Sequence, residues 1–334
     1  MDGRAVVIIR ARPIFLCAAI LGACSRPSAC ARVGGASAPE PSASKNPNAT
    51  PPGDPESAVI DAVRTKRGGA GVSYIAPSEA ELVAFGAWAR ALARAAPAGA
   101  PPTTPPPQGF VLETPPDGSW WLAEAPGQRR GSGLVVIRPG RAGKVLIEAP
   151  HTFFDVGTLE VAITSFEILS ARALLVNTVR RSQSDDGDLD TDDRARIARS
   201  GEADSDLAHA PESFFTTAHV ELLSEQPDLT IQLHGFRDDR LPDVDVVLSR
   251  AGTNARLESV AAALRALLGA GRVVIYPEET KHFGAMTNVQ AGRSVAAGAP
   301  FIHVEMSRSL RDQLKQGSVL RRRFAEALGH ALDP

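Results

Sequence analysis

The chain has 334 residues, with 36 Lys and Arg against 38 Asp and Glu and a formal net charge of −2. That balance argues against a nucleic-acid or polyanion surface as the main business, and the length suits one large α/β domain or two smaller ones. Aromatic residues make up only 5% of the chain while Ala, Gly, Pro and Arg are abundant, so an isolated arginine carries little information.

Residues 1–23 read as a signal peptide. Arg4, Arg10 and Arg12 form a basic n-region, and PIFLCAAILGA is an apolar stretch of h-region length, too short to span a bilayer. Leu21-Gly22-Ala23-Cys24 resembles a bacterial lipobox, which implies lipidation at Cys24 and a membrane anchor; an ordinary secretory signal cleaved nearby is the alternative. Either reading implies export, towards the periplasm or the cell surface. Residues 24–55 are Ser, Pro, Ala and Asn with almost no large apolar side chains, a composition that predicts a disordered tether. The cysteines are Cys17, Cys24 and Cys30, so the folded part has neither a disulfide nor a thiol nucleophile, and thiolate metal sites are excluded.

From Glu56 the pattern changes. Ser78 and Glu81 form a Ser-x-x-Glu capping box ahead of LVAFGAWARALARAA, which has helical periodicity. A Pro-rich connector ends near Gly109, and FVLET and WWLAEA follow as short strands around the turn PPDGS. Residues 56–130 are therefore expected to form a small N-terminal subdomain, and 131–334 the catalytic domain. In the latter, strand candidates start at Leu134, Val145, Ala173, Leu229, Val244, Arg272 and Phe301, with helical runs at 158–171, 213–224, 254–269 and 307–328. Continuous Val/Ile/Leu runs alternating with helices predict an α/β fold, a mostly parallel or mixed central sheet covered by helices on both faces.

Chemistry-bearing residues gather at the ends of these strands, where open α/β sheets place their sites. His151 and Asp155 follow VLIEAP; Asn177, Arg180 and Arg181 follow ALLV; His234 closes LTIQL; Glu305 sits in FIHVEM. Two imidazoles and a carboxylate (His151, His234 and Asp155) suit Zn2+ with one coordination position left for water. Glu305 is the candidate general acid/base, and Arg180, Arg181 or Arg308 could stabilise a developing oxyanion. The blander reading of the first segment is a loop histidine beside an Asp155 that caps the following helix. Asp206 and His209, in SDLAHAPESFF, could also reach the site. The run DDGDLDTDD (185–193) could hold calcium but lacks the Gly and terminal Glu of an EF-hand loop, and reads as a solvated acidic loop.

Four segments in order bear a family resemblance over roughly 145–312. APHTFFDVGTLEVA resembles the APHGG-x-I-E-x-GT-x-E-x-A opening of poly-gamma-glutamate hydrolases. LTIQLHGF is similar to that family's second-histidine segment, RAGTNARLESVAAALRALLGAG to its Gly-x-Asn-x-x-Leu helix, and HVEMSRSLR to its LQLE-Leu-Ser-x-x-Leu-Arg ending. The resemblance implies a zinc carboxypeptidase-like α/β fold, with N-formylglutamate amidohydrolases as a neighbouring group. It implies His151 and His234 as zinc ligands, Asp155 in place of a glutamate, and Glu305 as acid/base. Its His-to-carboxylate gap is one residue shorter than in those hydrolases and one longer than in classical zinc carboxypeptidases, which leaves Glu148 and His209 as alternative ligands. The expected function is zinc-dependent hydrolysis of amide or peptide C–N bonds, with γ-glutamyl or cell-wall peptides as candidate substrates. The alternative is a non-catalytic, surface-anchored binding lipoprotein on the same fold. A serine hydrolase of α/β type is disfavoured by the lack of a Gly-x-Ser-x-Gly elbow.

Overall fold

A computed structural model describes residues 58–63, 74–128, 130–140, 143–179, 181, 205–251 and 256–332. The expected signal peptide and tether, Cys24, Arg180 and the acidic run 185–193 lie outside these residues. The described residues belong to one unit, Pro51–Pro334.

Helix α1 (Glu79–Ala95) starts where the capping box predicts, with Ser78 as N-cap: the Glu81 carboxylate accepts from the Ser78 amide at 2.8 Å, and the Ser78 hydroxyl accepts from the Glu81 amide at 3.4 Å. Strands β1 (Phe110–Glu113), β2 (Trp120–Glu124), β3 (Leu134–Ile137) and β4 (Val145–Ala149) follow, then α2 (Thr158–Ile168) and β5 (Ala173–Val176). After α3 (Phe214–Leu223) come β6 (Leu229–Phe236), β7 (Val246–Ala251), α4 (Leu257–Leu268) and β8 (Val273–Ile275). The chain continues through α5 (Val289–Ala296), β9 (Phe301–Ser307), α6 (Arg308–Gln316) and α7 (Ser318–Gly329). Two differences from the sequence reading have local causes. The single helical run expected over 307–328 is broken at Gly317, whose backbone turns extended (φ −104°, ψ 95°). Helix α5 was not expected, because VQAGRSVA is short, Gly-containing and weakly apolar; its start is fixed by the Asn288 side chain, which accepts from the Ala291 amide.

Among the described residues the strands form one nine-stranded mixed sheet in the order β1-β2-β3-β5-β4-β6-β9-β7-β8. Strands β5, β4, β6 and β9 run parallel, and β1, β2 and β3 extend the sheet antiparallel beyond β5. Strands β1 and β2, from the segment expected as a subdomain, are thus hydrogen-bonded into the same sheet as the rest. Helices α1 and α3 cover one face through Phe85, Trp88, Leu92, Phe214 and Leu222, while α2, α4 and α7 cover the other through Val161, Val260 and Phe324. The expected α/β fold with helices on both faces is what is seen. No described helix is long and apolar enough to cross a membrane.

The chain leaves β4 towards β5 on one side, then returns to place β6 on the other. A crevice therefore opens at the C-terminal ends of β4, β6 and β9, the topological switch point at which such sheets bind ligands. Arg311, on α6, ties these ends together. Its guanidinium donates to the carbonyls of Val156 (2.8 Å), Phe236 (3.1 Å) and Met306 (3.2 Å), one from each strand end or the loop that follows it. The arginine lies against two glycines: a Cβ on Gly235 would overlap the Arg311 guanidinium, and one on Gly157 (φ 103°) would sit 2.9 Å from the Arg311 carbonyl oxygen.

Gly235→Ala is therefore expected to lose about 1–3 kcal/mol of stability through overpacking against Arg311, read as a lowered urea midpoint. By contrast, Ser78→Ala should cost only about 1 kcal/mol, the usual loss of a helix cap. Equal midpoints for Gly235→Ala and the parent would show that the arginine yields without cost.

Candidate metal centre and its cleft

Pro150 follows the last residue of β4, and His151 begins a tight turn in which its carbonyl accepts from the amides of Phe154 (2.9 Å) and Asp155 (2.7 Å). The turn brings the Asp155 carboxylate back over the His151 ring, with Oδ2 3.4 Å from His151 Nδ1. Helix α2 is capped at Gly157 with no side-chain bond, so Asp155 does not act as the helix cap. From β6, His234 Nδ1 lies 3.1 Å from His151 Nδ1 and 3.9 Å from Asp155 Oδ2. All three residues are buried, and the three atoms form one cluster able to hold a metal ion. Ligand atoms about 2.0–2.1 Å from a tetrahedral zinc lie roughly 3.3 Å apart, so the spacing fits such an ion.

Protonation supports the same reading. His151 Nε2 is 2.8 Å from Asp206 Oδ1, and Asp206 Oδ2 accepts from Arg181 Nε at 2.6 Å. Burial works against a charged His151, but the Asp155 and Asp206 carboxylates outweigh it and raise its pKa above the usual imidazole value. Burial, reinforced by the neighbouring imidazoles of His303 and His151, pushes His234 well below that value. Burial alone would raise Asp206, yet hydrogen bonds from His151 and His209 hold it well below the usual carboxylate range. Two Nδ1 atoms at 3.1 Å need a proton or a cation between them, and a divalent cation can replace the proton that His151 would otherwise supply.

Glu305 and His303 come from β9. Glu305 is the in-register neighbour of His234, and its carboxylate shares a second cluster with His234 and His303. Burial, reinforced by the nearby Asp155 carboxylate, pushes the Glu305 pKa up to about 8, the tuning expected of a carboxyl that exchanges protons near neutrality. Its Oε2 is buried without a hydrogen-bond partner among the described residues. His303 packs on His234 with ring centroids 4.5 Å apart, and burial lowers its pKa to about 3.

These groups line an open cleft of about 670 Å³. Arg181 and Arg308 also line it; Arg181 lies over the Phe154 ring at 5.6 Å, and Arg308 pairs with Asp312 at 3.0 Å. His209 reaches the cleft with Nδ1 3.2 Å from Asp206 Oδ1 and Nε2 3.1 Å from Thr287 Oγ1. Asn177 does not line it: its side chain donates to the Pro150 carbonyl and accepts from the Val179 amide, which shapes the turn beneath His151. Glu148, an alternative ligand by sequence, lies outside both candidate clusters and binds His219 and Gln232 in the interior instead. Gln232, Asn288 and Gln290 were missed by the sequence reading. The available signal was a period of two, since Thr230, Gln232 and His234 alternate with Ile231 and Leu233 in a strand that is buried from Leu229 to His234.

No protein-family profile and no curated protein matches the chain. Among solved structures it is similar to a bacteriophage poly-gamma-glutamate hydrolase, at 15% identity and a TM-score of 0.39, over 63% of this chain and 90% of that one. It is similar to the zinc-free form of YndL at 17% identity and a TM-score of 0.40, over 60% and 89% of the two chains. A metallo-carboxypeptidase from Burkholderia cenocepacia is a further neighbour, at 12% identity and a TM-score of 0.37, over 60% of each chain.

Proposed function

We propose that the protein is a zinc-dependent hydrolase of amide or peptide C–N bonds, with γ-glutamyl or cell-wall peptides as the substrate class to examine first. The observation that carries this reading is the convergence of His151 Nδ1, Asp155 Oδ2 and His234 Nδ1 at 3.1–3.9 Å beside a carboxyl whose pKa is raised to about 8. These three residues would hold a zinc ion, which would supply the Lewis acidity to activate a water near neutral pH.

The chain's own groups do the rest. Glu305 accepts a proton from the attacking water as the new C–O bond forms at the amide carbon. It then delivers that proton to the departing nitrogen as the C–N bond breaks. Arg181 and Arg308, on the cleft wall, offer positive charge to the developing oxyanion or to a substrate carboxylate. Arg180 is proposed for the same role on its sequence position alone. Asp206 orients His151 through Nε2, and Arg181 in turn holds Asp206. The lipobox-like segment ending at Cys24 supports an exported, lipid-anchored placement facing the periplasm or cell surface.

The test is elemental analysis of the purified chain beside activity on a panel of γ-glutamyl and peptidoglycan-derived amides. About one zinc per chain is expected in the parent and in Glu305→Gln, with turnover in the latter reduced about 10²–10⁴-fold. His234→Ala should remain folded and lose metal and activity together. Full zinc occupancy in His234→Ala would overturn the ligand set, and a parent that holds no zinc when supplied with it would sink the hydrolase reading.

A further inference from the structure

Beneath the metal-binding cluster lies a second set of buried polar side chains that the proposed reaction does not use. Glu148 on β4, Gln232 on β6 and His303 on β9 are in-register neighbours across three strands, and Gln232 precedes His234 by two residues on the same sheet face. Glu148, Gln232, His219 and Gln290 are all fully buried. Glu148 accepts from Gln232 Nε2 at 2.9 Å through one oxygen, and pairs with His219 Nδ1 at 2.7 Å through the other. His219 Nε2 reaches Ser294 Oγ at 3.2 Å.

The orientation of the Gln232 amide follows from groups whose roles cannot be exchanged. Asn288 Oδ1 accepts from the Ala291 amide, so the end of Asn288 that faces Gln232 is its NH2, which donates to Gln232 Oε1 at 2.5 Å. Gln290 donates through Nε2 to the Leu207 carbonyl, so its Oε1 is the end that accepts from Gln232 Nε2 at 3.2 Å. A backbone N–H and a backbone carbonyl thus fix the amide from two sides, and the Glu148 carboxylate fixes it from a third. Gln232 Oε1, pinned as an acceptor, lies 2.7 Å from His234 Nε2.

We propose that Gln232, locked by Glu148, Asn288 and Gln290, is a positioning residue that holds His234 as its Nε2–H tautomer, so that Nδ1 presents a lone pair to the metal beside His151 and Asp155. This inference rests on reading the cluster as a metal site, but the tautomer can be measured without metal. Long-range 1H–15N NMR of the metal-free, histidine-labelled chain should show His234 protonated at Nε2 and bare at Nδ1. In Gln232→Met, and more weakly in the isosteric Glu148→Gln, that signature should give way to mixed tautomers, and the zinc Kd should rise about 10–100-fold. The proposal is overturned by an Nδ1–H tautomer in the parent, a result that needs no variant to fold. It is equally overturned if either variant folds with tautomer and zinc Kd unchanged. A parent that shows the Nε2–H tautomer, lost in the variants, but binds no zinc would uphold the positioning role and overturn the hydrolase reading alone.

Discussion

The guanidinium of Arg311 donates to three carbonyl oxygens at once, and the geometry of the cleft depends on that contact. The carbonyls of Val156, Phe236 and Met306 belong to the segments that carry Asp155, His234 and Glu305. A single rigid fork therefore braces three strand ends, adding to the β6–β9 pairing and to the bond from the Gly235 amide to Asp155. A buried cation with no direct carboxylate partner among the described residues is costly, and the carbonyl dipoles offset part of that cost. Asp155 and Glu305 lie close enough to favour its charge, so the arginine that braces the site also feels its electrostatics. Gly157 and Gly235 are the sequence consequence, because any larger residue at either place meets the arginine.

The central strands divide the labour between their two faces. Towards α2, α4 and α7 they present Val145, Ile147, Ile231, Leu233, Ile302 and Val304, which pack as ordinary core and supply stability. Towards α3 and α5 they present Glu148, Thr230, Gln232, His234, His303 and Glu305, a polar stripe inside a closed structure. Burying so many polar groups is tolerable only where they satisfy one another, as Glu148, Gln232, His219, Asn288 and Gln290 do. From Gln232 towards the cleft the stripe becomes less satisfied, although Thr230 Oγ1, behind Gln232, also lacks a partner among the described residues. Gln232 has four partners, His234 Nδ1 lies 3.1 Å from the Nδ1 of His151, and Glu305 keeps one oxygen without a partner among the described residues. That gradient separates a supporting layer from a reacting one.

The strands and most helices were legible because long apolar runs and turn chemistry each point to one structure, and the ends of VLIEAP, LTIQLH and FIHVEM carried His151, His234 and Glu305 in plain view. The supporting layer was not legible in the same way. Glu148 is a single polar residue within a run that reads as a continuous apolar strand, and the alternation that contains Gln232 does not name its partners. His219 sits on a helical face that looks like core packing, and its partner Glu148 is 71 residues away. Asn288 and Gln290 belong to a helix too short and too polar to be recognised. Their meaning arises only when three strands and two helices meet, which no local window of sequence contains.

Asp155 shows how the backbone of a turn sets the reach that a side chain needs. The His151 carbonyl accepts from the Asp155 amide across a five-residue turn, which returns the chain to the side of the strand it has just left. A carboxylate carried there needs little reach: with the short aspartate side chain, Oδ2 already stands 3.4 Å from His151 Nδ1 and accepts from the Gly235 amide at 3.0 Å. A glutamate at the same position would carry its carboxylate one methylene further, towards the Gly235 backbone and the Arg311 guanidinium packed against it. In this turn the short side chain suffices, because the backbone itself brings the carboxylate to the imidazole.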